Sequence, residues 1–215
     1  AECADGFGAA WAIWSRFPTA RFIPVKHGNP PPTGLQDQHV VIVDFSYARE
    51  TLEIMAAQTQ ALLVLDHHIT AEKALAGLPY AYFDMKKSGA VLAWEWAHDR
   101  PIPWLLDYIQ DKDLWTWALP SSREINAAVA SYPFEYSLWS HFKQKELEQE
   151  GRAILRYENE LVSKLAAQAM LVGFHGAVVP SVQSAVLTSQ IGERLSAVHP
   201  FCRMWHDRDG RRYYS

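Results

Sequence analysis

Two short apolar runs, each closed by an aspartate, constrain this chain more than any other feature. His39-Val40-Val41-Ile42-Val43 ends on Asp44, and Ala61-Leu62-Leu63-Val64-Leu65 ends on Asp66-His67-His68. Neither run alternates apolar with polar residues, so each predicts a strand buried on both faces, as in a parallel sheet. Helical patterns surround them. Residues 7–14 are small and apolar and suit a helix packed closely on a sheet; residues 47–58 follow Ser46, a suitable cap; residues 88–96 begin on Ser88. Residues 20–25 read as a further strand weakened by Pro24, and 79–83 as another, with a Pro/Gly loop at 28–34. Strands alternating with helices mean βαβ units, hence an α/β fold with a mostly parallel sheet. In such sheets the ligand sits beyond the carboxyl ends of the strands, where both Asp44 and Asp66 fall.

The remainder of the chain predicts a different layout. Pro103 starts a short helix to about residue 110. Leu147, Ile154 and Leu161 recur every seven residues, the mark of a long amphipathic helix, and its charges form a solvated face. From about residue 171 a second αβ segment begins. Residues 177–179 and 185–187 read as strands and 189–198 as a helix. Residues 201–205 and 211–214 read as strands joined at Asp207-Arg208-Asp209-Gly210, a hairpin signal. The expected organisation is a catalytic domain over 1–125, a helical connector over 126–170 and a smaller second αβ domain over 171–215. The chain ends in what reads as mid-strand and opens, without methionine, almost inside a motif, so further residues are expected at both ends.

Composition excludes several classes. Of the 215 residues 49% are hydrophobic, enough for a sizeable core. The net charge of −4 (20 basic against 24 acidic residues) offers no field for long duplex DNA or an anionic membrane. No apolar run reaches the ~18 residues a membrane-spanning helix needs. Two cysteines, Cys3 and Cys202, exclude a disulfide scaffold and fit a reducing cytoplasm.

The chemistry concentrates in four places: Asp5, Asp44, Asp66-His67-His68 and Asp111-Lys112-Asp113. Carboxylates with one or two imidazoles suit Mn²⁺ or Mg²⁺. Clustered carboxylates repel one another, and two divalent ions would remove that cost and make a phosphoryl-transfer site. Each residue also has a plainer reading. Asp44 can cap a helix, although Ser46 is better placed; Asp5 can form an Asx turn; Asp111 and Asp113 can cap a helix. Ser88-Gly89 can be a simple N-cap or a phosphate site at a helix N-terminus. Trp115 and Trp117 read as core before they read as base-stacking platforms. Cys3 reads as a small buried residue. Arg208, Arg211 and Arg212 read as a solvated turn. His27, His39, His98, His141, His175, His199 and His206 show no ligand spacing.

Leu65-Asp66-His67-His68 after an apolar strand resembles the signature of the DHH phosphoesterase family. Cys3-Ala4-Asp5-Gly6-Phe7-Gly8-Ala9-Ala10 resembles its first motif, Val41-Ile42-Val43-Asp44 its second and Asp111-Lys112-Asp113-Leu114-Trp115 its fourth. The resemblance covers roughly the first 120 residues well and the rest loosely. It implies two divalent metal ions, foremost Mn²⁺, held by Asp5, Asp44, His67 and Asp111, with Asp44 as the bridge and Asp113 the alternative to Asp111. It implies that His68 lies by the scissile phosphate as a catalytic and substrate-binding group, with Asp66 orienting the imidazoles. Ser88 is the further candidate for holding substrate. The implied activity is metal-dependent hydrolysis of a phosphoester of a nucleotide or short oligonucleotide by an activated water. Inorganic pyrophosphate or polyphosphate hydrolysis, and a nucleotide-binding module without catalysis, are the alternatives. A homodimer is left open. The chain departs from the family in having Cys3 where many members have an aspartate, and in lacking a glycine-rich GGGH-type loop before Ser215. The histidine usual just before the first motif would precede Ala1.

Overall fold

A computed structural model of the chain describes residues 3–215. They divide into two compact units, one ending at Gly151 and the other spanning Arg152–Ser215. The first unit is α/β. Its elements run α1 (Ala4–Arg16), β1 (His39–Val43), α2 (Arg49–Gln58), β2 (Ala61–Asp66), α3 (Ile69–Leu75), β3 (Ala81–Phe83), α4 (Gly89–Ala97), α5 (Trp104–Asp113), α6 (Ser122–Ser131) and α7 (Tyr136–Trp139). The long α8 (Gln144–Ala166) starts in this unit and ends in the second.

The three strands form one parallel sheet in the order β1-β2-β3, with Val43 opposite Leu65 and Asp66 opposite Phe83. Val64 and Leu65 are both buried, and successive strand residues point to opposite faces, so β2 is covered on both sides. On one face Ile42 and Val64 pack with Leu52 and Met55 of α2 and Leu75 of α3. On the other side α1 lies against α4 so closely that a Cβ on Gly8 would sit 3.0 Å from the Cβ of Ala90. These packings align all three strand ends on one edge, and Asp44 and Asp66 stand there.

Three local expectations are overturned. Residues 20–25 form no strand, since Pro24 removes a ladder donor. Ser46 does not cap α2, which begins at Arg49 without a side-chain cap; its hydroxyl donates to Asp66 instead. The boundary between the two units falls inside α8, so α6 and α7 belong to the first unit rather than to a separate connector. Leu147 is buried in the first unit, whereas in the second unit Val162 is buried and Leu161 only half-buried. A strict seven-residue stripe drifts around a 3.6-residue helix, so the seam does not stay on Leu161.

The second unit carries a four-stranded sheet in the order β4-β5-β6-β7: β4 (Met170–Phe174), β5 (Ala177–Gln183), β6 (Arg203–Arg208) and β7 (Arg211–Tyr214), with α9 (Thr188–Ser196) between β5 and β6. β5 and β6 run parallel and the outer pairs antiparallel. Asp209 and Gly210 turn the β6–β7 hairpin with φ of 52° and 70°, the left-handed pair a two-residue turn requires. Residues 185–187 form no strand: the Ser184 hydroxyl donates to Val186 O and accepts from Val186 N, removing that stretch from ladder bonding. Val162, Val182, Ile191, Leu195 and Met204 make the core. No helix among the described residues is long and apolar enough to cross a membrane.

Candidate metal centre

Asp44 follows β1 with φ at 52°, a left-handed conformation that aspartate tolerates better than most residues. Its amide donates to Leu65 O at 2.9 Å, so the turn is fixed to β2. The side chain lies against the start of α4. A Cβ on Gly89 would stand 2.4 Å from the Cβ of Asp44 and 2.8 Å from its Oδ1, so only glycine admits Asp44 there.

Asp5 comes from the first turn of α1 and is buried. Its Oδ2 accepts from Gly89 N at 2.7 Å and its Oδ1 from Ala90 N at 3.0 Å. One carboxylate therefore caps the N-terminus of a neighbouring helix. Burial first, then the charges of Asp44 and Asp113, push its pKa up to about 8.

His67 is the point of convergence. Its Nε2 lies 3.2 Å from Asp44 Oδ1, 3.5 Å from Asp113 Oδ2 and 3.6 Å from Asp5 Oδ2. Burial alone would lower its pKa, but the bond to Asp44 and the charges of Asp113, Asp5 and Asp44 outweigh it and raise the imidazole to about 9. Two donor groups share this histidine: Asp44, Asp66, His67 and His68 form one, and Asp5, His67 and Asp113 the other, each with ligand atoms within 4.8 Å of one another. Donors on opposite sides of one ion bound at ~2.1 Å stand ~4.2 Å apart, so this spacing fits a divalent cation with small adjustments. Three carboxylates facing one imidazole are also the oxygen-rich donor set that hard cations take.

Asp66 is almost wholly buried, and both its oxygens are occupied. Oδ2 accepts from the Ser46 hydroxyl at 2.6 Å; Oδ1 accepts from His67 N at 2.8 Å and contacts His68 Nδ1 at 2.6 Å. It orients the imidazole of His68 but not that of His67. With Nδ1 taken, His68 presents Nε2 from a ring that is half exposed.

The structure separates Asp111 from the site. Asp111 is buried, and its carboxylate accepts from the Thr116 hydroxyl at 2.6 Å, Ala118 N at 2.8 Å and Leu119 N at 3.2 Å. These bonds, with that from Ser122, hold its carboxyl below the usual range despite burial. Asp113, the last residue of α5, faces His67 instead. Helical residues two apart lie on different faces, so only one of the pair can reach the centre. Nothing in Asp-Lys-Asp says which one; the choice follows from the loop after α5, which wraps Asp111.

Ser88 is the second departure. It is completely buried; its hydroxyl accepts from Val91 N at 3.4 Å and its amide donates to Gln110 Oε1. With Asp5 on the Gly89 and Ala90 amides, the start of α4 is capped and offers no phosphate cradle. Cys3 is exposed, not buried. Its Sγ accepts from Gly6 N at 3.3 Å and donates to Asp44 Oδ2 at 3.6 Å. Partial desolvation and the charges of Asp44 and Asp5 push its thiol up to about 11, which disfavours the reactive thiolate. Trp115 is exposed, whereas Trp117 carries the Arg123 guanidinium over its ring at 4.3 Å. Arg212 pairs with Asp207 and Arg208 with Asp209, the expected solvated turn. Ser46 and Gly89 join the site although the sequence offers them only capping roles, and Asp113, the alternative to Asp111, is the one of the pair that faces His67.

No family model matches the sequence. The chain is similar to the uncharacterized protein R106 of Acanthamoeba polyphaga mimivirus, 29% identical over 226 aligned positions covering 93% of this chain. It spans about half of that relative, 54% of its length. An uncharacterized protein from Helicobacter pylori G27 superposes with a TM-score of 0.45 at 9% identity, covering 94% of this chain and 79% of that one.

Proposed function

We propose that the chain carries the catalytic centre of a metal-dependent phosphoesterase of the DHH type, acting on a nucleotide or short oligonucleotide. The observation that supports this reading most is the convergence of Asp5, Asp44 and Asp113 on His67 at the carboxyl edge of a parallel sheet. Those four residues would hold two divalent ions, Mn²⁺ first and Mg²⁺ second. Bound there, the ions would supply a nucleophilic water at neutral pH and neutralise charge on the phosphoryl group.

The chain's own residues supply the rest. Asp66 accepts from Nδ1–H of His68 and fixes its direction, so Nε2 is aimed outward, an acceptor in the neutral imidazole and a proton donor to a phosphoryl or leaving oxygen when the ring carries both protons. Ser46, donating to Asp66, keeps that carboxylate in place. Asp5 ties α1 to α4 and keeps the donor set together.

The test is a hydrolysis screen with Mn²⁺ or Mg²⁺ over a dinucleotide, a nucleoside bisphosphate, a cyclic dinucleotide, polyphosphate and pyrophosphate. Excess chelator should abolish activity, and Mn²⁺ should restore it at least as well as Mg²⁺. Full activity in chelator refutes the reading. Nucleotide binding without turnover under every metal makes the chain a binding module instead.

A further inference from the structure

Beside the metal centre, on the side of β1 and β2 where α2 and α3 pack, lies a half-open pocket of about 240 Å³. His68 and Asp66 form its inner edge, so it begins where the proposed reaction takes place. Thr70, Ala74 and Leu75 of α3 line it together with His27 and Tyr47. We infer that this pocket receives a neutral, planar organic part of the substrate, one ring system of a nucleoside attached to the reacting phosphate. The inference rests on the phosphoesterase reading and adds to it a subsite with a stated chemistry.

Charge excludes a second phosphate. No lysine or arginine lines the pocket, and the carboxylate of Asp66 does. Arg49 is close in the fold, but it donates to Ala74 O at 3.0 Å and Ala76 O at 2.7 Å and is committed to those carbonyls. A phosphate in this space would meet a carboxylate and no countercharge. Pyrophosphate and polyphosphate, which carry charge at every position, are therefore poor occupants.

Size and surface point to the ring. Pockets for drug-sized ligands run to ~300–1,000 Å³, so this one has room for a single ring system and not for a dinucleotide. Aliphatic side chains together with the rings of His27 and Tyr47 make a lining on which a base stacks with tolerance for its identity. His27, just before the Pro/Gly loop, packs against the ring of Phe45 with centroids 4.7 Å apart.

The experiment compares the dinucleotide pApA with inorganic pyrophosphate, under Mn²⁺, for the wild-type chain and for Ala74→Phe. Ala74 is an exposed wall residue, so a phenyl group there fills the pocket without entering the core. The ratio of kcat/KM for pApA to that for pyrophosphate should fall at least ~10-fold, mostly through KM. Urea unfolding and Mn²⁺ titration accompany both proteins, and Thr70→Leu, one turn from Ala74 on the same face of α3, replaces Ala74→Phe should the latter not fold. An unchanged ratio in a folded, metal-binding variant overturns the inference and leaves the phosphoesterase reading intact. So does a wild type that turns over pyrophosphate and not pApA. Hydrolysis of neither substrate by the wild type overturns the inference, and the phosphoesterase reading falls with it when the nucleoside bisphosphate, cyclic dinucleotide and polyphosphate are not hydrolysed either.

Discussion

Asp111 and Asp113 stand two residues apart and should respond to alanine in opposite ways. Asp111→Ala removes a buried acceptor of bonds from Thr116, Ala118 and Leu119, the shortest at 2.6 Å. Hydrogen bonds to a charged group contribute ~1.5–3 kcal/mol each, and orphaned buried donors cost ~1–3 kcal/mol. The contributions are not additive, since the loop can relax toward water, so a loss of about 3–5 kcal/mol is expected. Two tryptophans in this loop, Trp115 and Trp117, have φ of 57° and 51°. Such backbone persists only where surrounding bonds enforce it, and the Asp111 carboxylate supplies those bonds. Asp113→Ala removes a carboxylate whose pKa is raised, first by burial and then in part by Asp44. A raised carboxyl pKa stabilises the fold only at low pH, and that contribution is lost as pH rises through the folded value. At neutral pH the metal-free protein should therefore unfold at an equal or higher urea concentration without Asp113. Its Mn²⁺ affinity should fall ~10–100-fold, as for other metal-site lesions. Urea unfolding in excess chelator gives the first quantity and a Mn²⁺ titration the second. Asp111→Ala with a wild-type urea midpoint, or Asp113→Ala with wild-type Mn²⁺ affinity, would refute the assignment of the two residues.

Other substitutions test the rest of the centre. Asp44→Ala should lower hydrolysis more than ~10-fold and more than His67→Ala does, since a bridging carboxylate serves both ions; the reverse order in kcat argues against Asp44 as the bridge. Gly89→Ala puts a Cβ 2.4 Å from that of Asp44, so Mn²⁺ titration should show weaker binding even where circular dichroism shows the fold intact. Gly151→Ala puts a Cβ 1.7 Å from Glu124 O, a backbone atom that cannot swing aside, and urea unfolding should show a loss of at least ~1–3 kcal/mol. Asp5 and His67 both have raised pKa values, about 8 against 3.8 and about 9 against 6.5. Their stabilisation fades as pH rises through those windows, so the urea midpoint in chelator should drop between pH 6.5 and 9 while Mn²⁺ affinity climbs as the protons leave; a flat affinity over that range contradicts it.

What could be read from the sequence were the features whose cause is local. The β1 and β2 runs declare strands because continuous β-branched and apolar residues have no other good place than a buried sheet, and the residues closing them then stand at its carboxyl edge. The pairing of Asp66 with His68 is similarly local, two residues apart. What failed was decided by distant atoms. Ser46 is an adequate cap by composition, but α2 begins three residues later at Arg49, and β1 and β2 run side by side and bring its hydroxyl 2.6 Å from Asp66, to which it donates. Asp5 shows the same in a more consequential form. In sequence it is a carboxylate beside a glycine, and only the packing of α1 on α4 reveals that it accepts from both Gly89 N and Ala90 N. The same Oδ2 that holds Gly89 N stands 3.6 Å from His67 Nε2. One oxygen thus joins the capping of α4 to the metal centre. Gly89, which donates to it, is also the residue whose missing Cβ admits Asp44. Helix packing and donor geometry are therefore one set of constraints here. A substitution at Asp5 changes the fold and the site together, whereas Asp113, at the end of α5 and accepting no such helix amides among the described residues, can be altered for its effect on the metal without loss of the fold.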